Sequence, residues 1–194
     1  MRREFKDLTN QEFNIGVARA INHTLGKAKT ASNREIRTMY NVSAKDVNAA
    51  MRIKRANRAE MYGLLIAQGK PIPLKKFKPI QTDEGVSVMV KKGQRQTIKS
   101  AFLSTMGSGH TGVFARGSYK QGGYVFRHHR ITPAGGYKQV GNRYQPINND
   151  TPINTLTTTS VPLMLSQNIV IKALANKIEQ DFPTRMIHEL SRLR

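Results

Sequence analysis

Apolar side chains recur every three to four residues over about Gln11–Tyr40: Phe13, Val17, Ala20, Ile21, Thr24, Leu25, Ala28, Ala31 and Met39. That spacing puts them on one stripe and predicts a long helix, with Asn10 as its N-cap. The stripe is narrow and made of small residues. Gly16 and Gly26 lower its helical stability by about 1 kcal/mol each and permit close approach of another backbone. Ser43-Ala44-Lys45-Asp46 reads as a capping-box start for a short second helix, with Val47, Ala50 and Met51 as its apolar positions. The pattern then changes period. Ala59–Gln68 is compatible with a strand, and Val86, Val88 and Val90 alternate with Ser87 and Met89. Ser100–Leu103 and Gly112–Arg116 read as two strands around the loop Gly107–His110, and Leu156–Thr159 as a polar strand.

Breakers divide these elements. Pro71, Pro73 and Pro79 punctuate Lys70–Pro79, which predicts an extended arm or loop, since proline removes amide donors from a ladder. Gly117–Asn149 is rich in glycine, tyrosine and arginine without periodicity and reads as a long loop or hairpin. A last helix is expected over about Leu163–Leu193, kinked or broken near Asp181 by Pro183. The expected fold class is α+β: a long N-terminal helix and a C-terminal helix packed on a small antiparallel sheet, with extended loops and arms. A single domain over 1–194 is expected, comprising an N-terminal extension (1–10), a proline/lysine-rich arm (70–80) and a Gly/Tyr/Arg-rich loop (117–149).

Charge changes the picture more than composition does. Among 194 residues, 32 are lysine or arginine and 12 are aspartate or glutamate, a formal net charge of +20. The excess peaks in residues 61–150, with 14 basic and 3 acidic side chains. A surface so biased attracts polyanions, nucleic acid or an acidic protein. Cysteine is absent, which excludes disulfides, thiolate metal sites and a cysteine nucleophile. No run approaches the roughly 20 apolar residues that span a bilayer, so no membrane association is expected. The basic N-terminus lacks the apolar stretch of a secretory signal.

Candidate chemistry is sparse. Met106–Gly112 is glycine-rich, but it lacks the Gly-Lys-Ser/Thr of a phosphate loop and precedes a strand, so it reads as a tight hairpin. His128 and His129 are flanked by Arg127 and Arg130, charges that oppose a metal cation. His188 is expected at the surface. Asp83 and Glu84 are the one adjacent acidic pair and read as turn residues. No catalytic constellation, metal site, cofactor or small-molecule substrate is expected.

Several segments in order carry a resemblance: Ser43–Val47, Gly69–Leu74, Ile98–Phe102, Gly107–Arg116 and Ser160–Met164, the last leading into the terminal helix. Together they resemble the prophage minor tail protein Z family over about Gln11–Leu193. The resemblance implies a structural tail-completion protein of a long-tailed bacteriophage, placed at the head-proximal end of the tail. It implies a homo-oligomeric, six-fold ring that helps join head to tail and position or pass DNA. Its implied partners are the tail terminator, the head–tail connector and genomic double-stranded DNA. Its implied location is the virion, and the host cytoplasm during assembly.

Charge arithmetic bears on such a ring. A globule of this length is roughly 40 Å across. Duplex DNA of that height carries about 24 phosphate charges. Six copies would carry about +120, several times more than that DNA neutralises. Two cationic roles are therefore expected. Arg34, Arg37, Arg52, Lys54, Arg55 and Arg58 are the candidates for a DNA-facing lumen. Lys70, Lys75, Lys76, Lys78, His110, Arg116, Arg127, His128, His129, Arg130, Lys138 and Arg143 are the candidates for acidic protein interfaces. Two other readings share the charge: a free cytoplasmic nucleic-acid-binding protein, and a head-side connector or adaptor. The first would be strengthened by stacking platforms among Phe114, Tyr119, Tyr124, Phe126, Tyr137 and Tyr144.

Overall fold

The computed structural model describes residues 9–107, 109–116, 129–130, 137–140, 143–146 and 153–193; for 129–146 the description is of backbone pairing alone. The chain is mixed α+β, with a long N-terminal helix, a C-terminal helix and small antiparallel sheets. It forms two compact units. The first comprises residues 1–38, 43–69 and 161–194, the second residues 39–42 and 70–160.

In the first unit, helix α1 spans Asn10–Met39. Its cap is Thr9 rather than Asn10. Glu12 N donates to Thr9 Oγ1 (3.3 Å), and Thr9 N donates back to the Glu12 carboxylate (2.9 Å). This reciprocal arrangement satisfies two backbone donors where a lone asparagine satisfies one. The buried stripe of α1 is built from small residues: Gly16, Ala18, Ala20, Thr24, Ala28, Ser32, Asn33 and, near the end, Ile36. Helix α2 (Ala44–Ala50) has the expected cap: Asp46 N donates to Ser43 Oγ, and Ser43 Oγ donates to the Asp46 carboxylate.

Strands β1 (Met51–Lys54) and β2 (Leu64–Ala67) follow α2 as an antiparallel hairpin, with Arg52 opposite Ile66 and Lys54 opposite Leu64. Later in the chain, helix α3 (Val161–Leu165) is separated from helix α4 (Asn168–Ser191) by Ser166 and Gln167, the latter with extended backbone. The interruption expected near Asp181 therefore falls about 14 residues earlier, at Gln167, and Pro183 lies inside α4. Pro183 and Glu179 are both exposed, so water can take the carbonyl that the proline ring leaves without a donor. The C-terminal end of α4 approaches α1 at Gly16, where a Cβ would sit 2.7 Å from Leu190 Cδ2 and 3.1 Å from Leu193 Cδ1.

In the second unit, β3 (Ile80–Thr82), β4 (Gly85–Val88) and β5 (Gln96–Lys99) form one antiparallel sheet. Strands β6 (Ala101–Thr105), β7 (Thr111–Arg116), β8 (His129–Arg130) and β11 (Ile153–Thr155) form another, in the order β6-β7-β11-β8. Strands β9 (Tyr137–Val140) and β10 (Arg143–Pro146) pair with each other. The chain passes from β5 to β6 through Ser100, at φ 59°, whose N–H donates to Glu84 O (2.9 Å). Phe77, Val86, Val113, Phe114 and Leu156 are fully enclosed. The strand expected at Leu156–Thr159 lies instead just before it, at Ile153–Thr155. Thr157 then forms an isolated bridge to Pro73.

That bridge lies in the proline-rich segment. Residues 70–79 form no regular strand, as expected of a loop, but they do not project as an arm. Ile72 N donates to Thr159 O, Thr158 N to Ile72 O, Leu74 N to Leu156 O, and Met89 N to Phe77 O. Ile72, Leu74 and Phe77 are buried. The prolines occupy positions whose missing donors this ladder does not need, and the apolar residues between them anchor a strap.

Candidate nucleic-acid interface

The β1–β2 hairpin gathers cations because of its register. Alternate residues of a strand face opposite ways. Met51 is buried and Ile53 half-buried, so Arg52 and Lys54 share the exposed face. The connecting segment adds exposed Arg55 and Arg58 against one carboxylate, Glu60. Two asparagines order it. Asn22, on α1, donates from Nδ2 to Ala56 O and accepts from Ala56 N, both at 2.8 Å. Asn57 Oδ1 accepts from the amides of Ala59 and Glu60, both at 2.8 Å. The return strand passes close to α1 at Gly63, where a side chain would collide with Leu25.

Lys54 is the most engaged of the four cations. Its Nζ lies 3.1 Å from the Glu60 carboxylate, donates to Tyr62 Oη (3.0 Å) and sits 4.8 Å from the centre of that ring. The hydrogen bonds to Tyr62 and Glu60 raise its pKa above the ordinary lysine value. Tyr62 is itself half exposed, at 49%, and Met61 and Leu64 are exposed beside it. The hairpin thus offers point charges and one aromatic face on an ordered frame, the chemistry that meets phosphates and stacked bases. Arg34 and Arg37 are exposed on α1.

All six lumen candidates fall in the first unit, and the described interface candidates all fall in the second. Lys70, Lys75, Lys76 and Lys78 are exposed along the strap. His110 is exposed and meets the Phe114 ring edge-on, and the Arg116 guanidinium lies 5.8 Å from the centre of the Phe102 ring. His129 and Arg130 lie in β8, Lys138 in β9 and Arg143 in β10, with their side chains outside the described residues. Arg127 and His128 lie wholly outside them, as do the side chains of Tyr119, Tyr124, Phe126, Tyr137 and Tyr144. Phe114 has no exposed surface and offers no stacking platform.

Sequence reading missed a polar cluster between α1 and α4. His23, Lys27, Asp181, Thr184, Arg185 and His188 line a cavity of about 290 Å³. Below it, Arg185 pairs with Glu189 (2.5 Å), a carboxylate almost wholly buried. Asp181 pairs with Lys177 (3.0 Å). Burial, with Arg185 and Lys27 nearby, pushes the His23 pKa below its ordinary 6.5. The signal was the run 177, 181, 185, 189, a four-residue ladder of alternating sign along one helix. No cluster of three or more metal-ligating side chains occurs among the described residues, and no described helix is long and apolar enough to cross a membrane.

Comparison with family models, curated proteins and solved structures finds no match for this chain.

Proposed function

We propose that this chain is a structural tail-completion protein of a long-tailed bacteriophage, acting at the head-proximal end of the tail. It assembles as a ring that helps join head to tail and position or pass DNA. The observation that carries this reading is the division of the cations. The hairpin set (Arg52, Lys54, Arg55, Arg58) sits on one compact unit and the strap set (Lys70, Lys75, Lys76, Lys78) on the other. A joint needs two such faces, one for DNA phosphates and one for acidic protein. A free nucleic-acid-binding protein needs only one. The resemblance of the ordered sequence motifs to the minor tail protein Z family supports the same reading.

Two measurements test it. Particles assembled without this chain should show complete heads and complete tails that fail to join or to infect; normal infectious particles would end the proposal. On purified protein, duplex DNA affinity should fall steeply with salt, and the triple variant Arg52→Ala/Arg55→Ala/Arg58→Ala should reduce the log–log slope by about 3. A slope that the triple variant leaves unchanged removes the hairpin from the DNA contact.

A further inference from the structure

Helix α4 is fully buried only near its ends; its middle is half-covered, and Asp181 and Arg185 there line the His23 cavity with α1. Of its 24 residues, Val170, Glu189 and Leu190 are buried. From Ile171 to His188 no side chain is fully covered. Yet that stretch carries an apolar face: Ile171, Leu174, Ala175, Ile178 and Phe182 fall within about a third of the helix circumference at 100° per residue. Ile171 is 47% exposed and Ala175 is exposed, while Leu174, Ile178 and Phe182 are half-covered. Such a stripe in a soluble helix ordinarily meets a partner.

Charge selects the partner. The chain as a whole is +20, but α4 carries three cations (Lys172, Lys177, Arg185) and three carboxylates (Glu179, Asp181, Glu189). Two of each are already matched within the helix, Lys177 with Asp181 and Arg185 with Glu189. A surface of zero net charge gives no purchase to DNA or to an acidic protein. For a second copy of this chain it is the reverse. Two +20 molecules repel over most of their surfaces and can approach closely only where the charge vanishes. We infer that the central stretch of α4, Ile171–Phe182, is the surface through which copies of this chain associate, α4 against α4. This rests on the ring reading above and assigns it a contact.

The full-length chain tests it, stripped of nucleic acid and run by sedimentation equilibrium in 0.15 M and 0.5 M salt. An apolar contact relieved of long-range repulsion should hold or strengthen at the higher salt. Ile171→Glu should weaken association at least about tenfold, the factor lost when one isoleucine leaves an apolar contact. Ile80→Glu, at a comparably exposed isoleucine of the second unit, should not weaken it. Because the chain lacks cysteine, Ala175→Cys provides a single thiol. A short bis-maleimide should join two copies through it, and should fail to do so at Thr82→Cys. A monomer at every concentration, an association indifferent to Ile171→Glu, or cross-linking equal at the two thiols would overturn the inference. The DNA salt slope of the Ile171→Glu variant separates the two proposals. For Ile171→Glu, lost association with an intact slope supports the α4 contact; undiminished association with an intact slope sinks the α4 contact alone, whereas a slope that the hairpin triple variant leaves unchanged sinks the DNA role alone.

Discussion

Asn22 holds Ala56 by both of its backbone groups, with the carboxamide donating to the carbonyl and accepting from the amide at 2.8 Å each. The side chain thereby does what a neighbouring strand would do, 34 residues away in sequence. Asn22→Ala should destabilise the fold by about 2 kcal/mol, since the Ala56 peptide groups lose both partners in a part-buried place. Asn22→Asp should cost at least as much, because its carboxylate would face the Ala56 carbonyl. Urea denaturation of both variants checks the order.

Gly85 tests the second unit. Its φ is 154°, and a Cβ there would collide with the Ile98 carbonyl of the paired strand. Gly85→Ala should cost more than about 3 kcal/mol, because a backbone atom cannot swing aside as a side chain can. Gly93 (φ 76°) has open space around its Cα. Gly93→Ala should cost only the left-handed backbone penalty, about 1 kcal/mol. Near-equal losses at the two sites would contradict the packing described.

The cap of α2 carries a smaller and separate expectation. Ser43→Ala removes the oxygen that accepts from Asp46 N, at 3.0 Å. Stability should fall by about 1 kcal/mol, and Ser43→Asp should recover most of it. Thermal unfolding of the pair distinguishes this from a general surface effect.

Lys54 and Arg55 should differ in DNA binding although both are exposed. The Lys54 ammonium is already shared between Glu60 and Tyr62. Arg55→Ala should therefore lower the salt slope by about 1, and Lys54→Ala by less. Glu60→Gln should raise affinity, since it frees Lys54 and removes the one carboxylate of the hairpin.

His23 makes stability depend on pH. Burial, with Arg185 and Lys27 adding and Asp181 and Glu189 opposing, holds its folded pKa below 6.5. Well above 6.5 neither the folded nor the unfolded state binds the proton, and His23 imposes no dependence. As pH falls below 6.5 the unfolded chain takes up a proton that the folded chain resists, so stability declines until pH has passed through the folded-state pKa. His23→Gln should flatten this part of the curve between pH 7 and 5. An NMR titration should place the His23 midpoint lower than in the unfolded chain.

Much of this architecture was legible before any coordinate. The small-residue periodicity marked α1 to within a residue, and Ser43–Asp46 marked the start of α2, because both signals are local. Proline chemistry decides only part of each case. At 71, 73 and 79 it excludes a regular strand, as observed, but leaves open whether the loop projects or is pinned, and at Pro183 it does not end the helix. What decides the rest is which neighbour needed the missing donor. At Pro183 both the proline and Glu179 are exposed, so water can take the freed carbonyl, and in the strap the buried partners are supplied by Leu156–Thr159, some 80 residues on. The site divides similarly. The cations of 52–58 could be named from sequence, but the asparagine that orders their segment lies on α1. The His23 cavity needed α1 and α4 brought together.

The strap has one more implication. A free arm of nine residues could stretch about 30 Å from the body to find a target. Stitched down through Ile72, Leu74 and Phe77, the segment forfeits that reach, and Lys75, Lys76 and Lys78 extend only by the length of their own side chains. On the function proposed above, the acidic surface must come to the protein and present its carboxylates at the spacing these three lysines set.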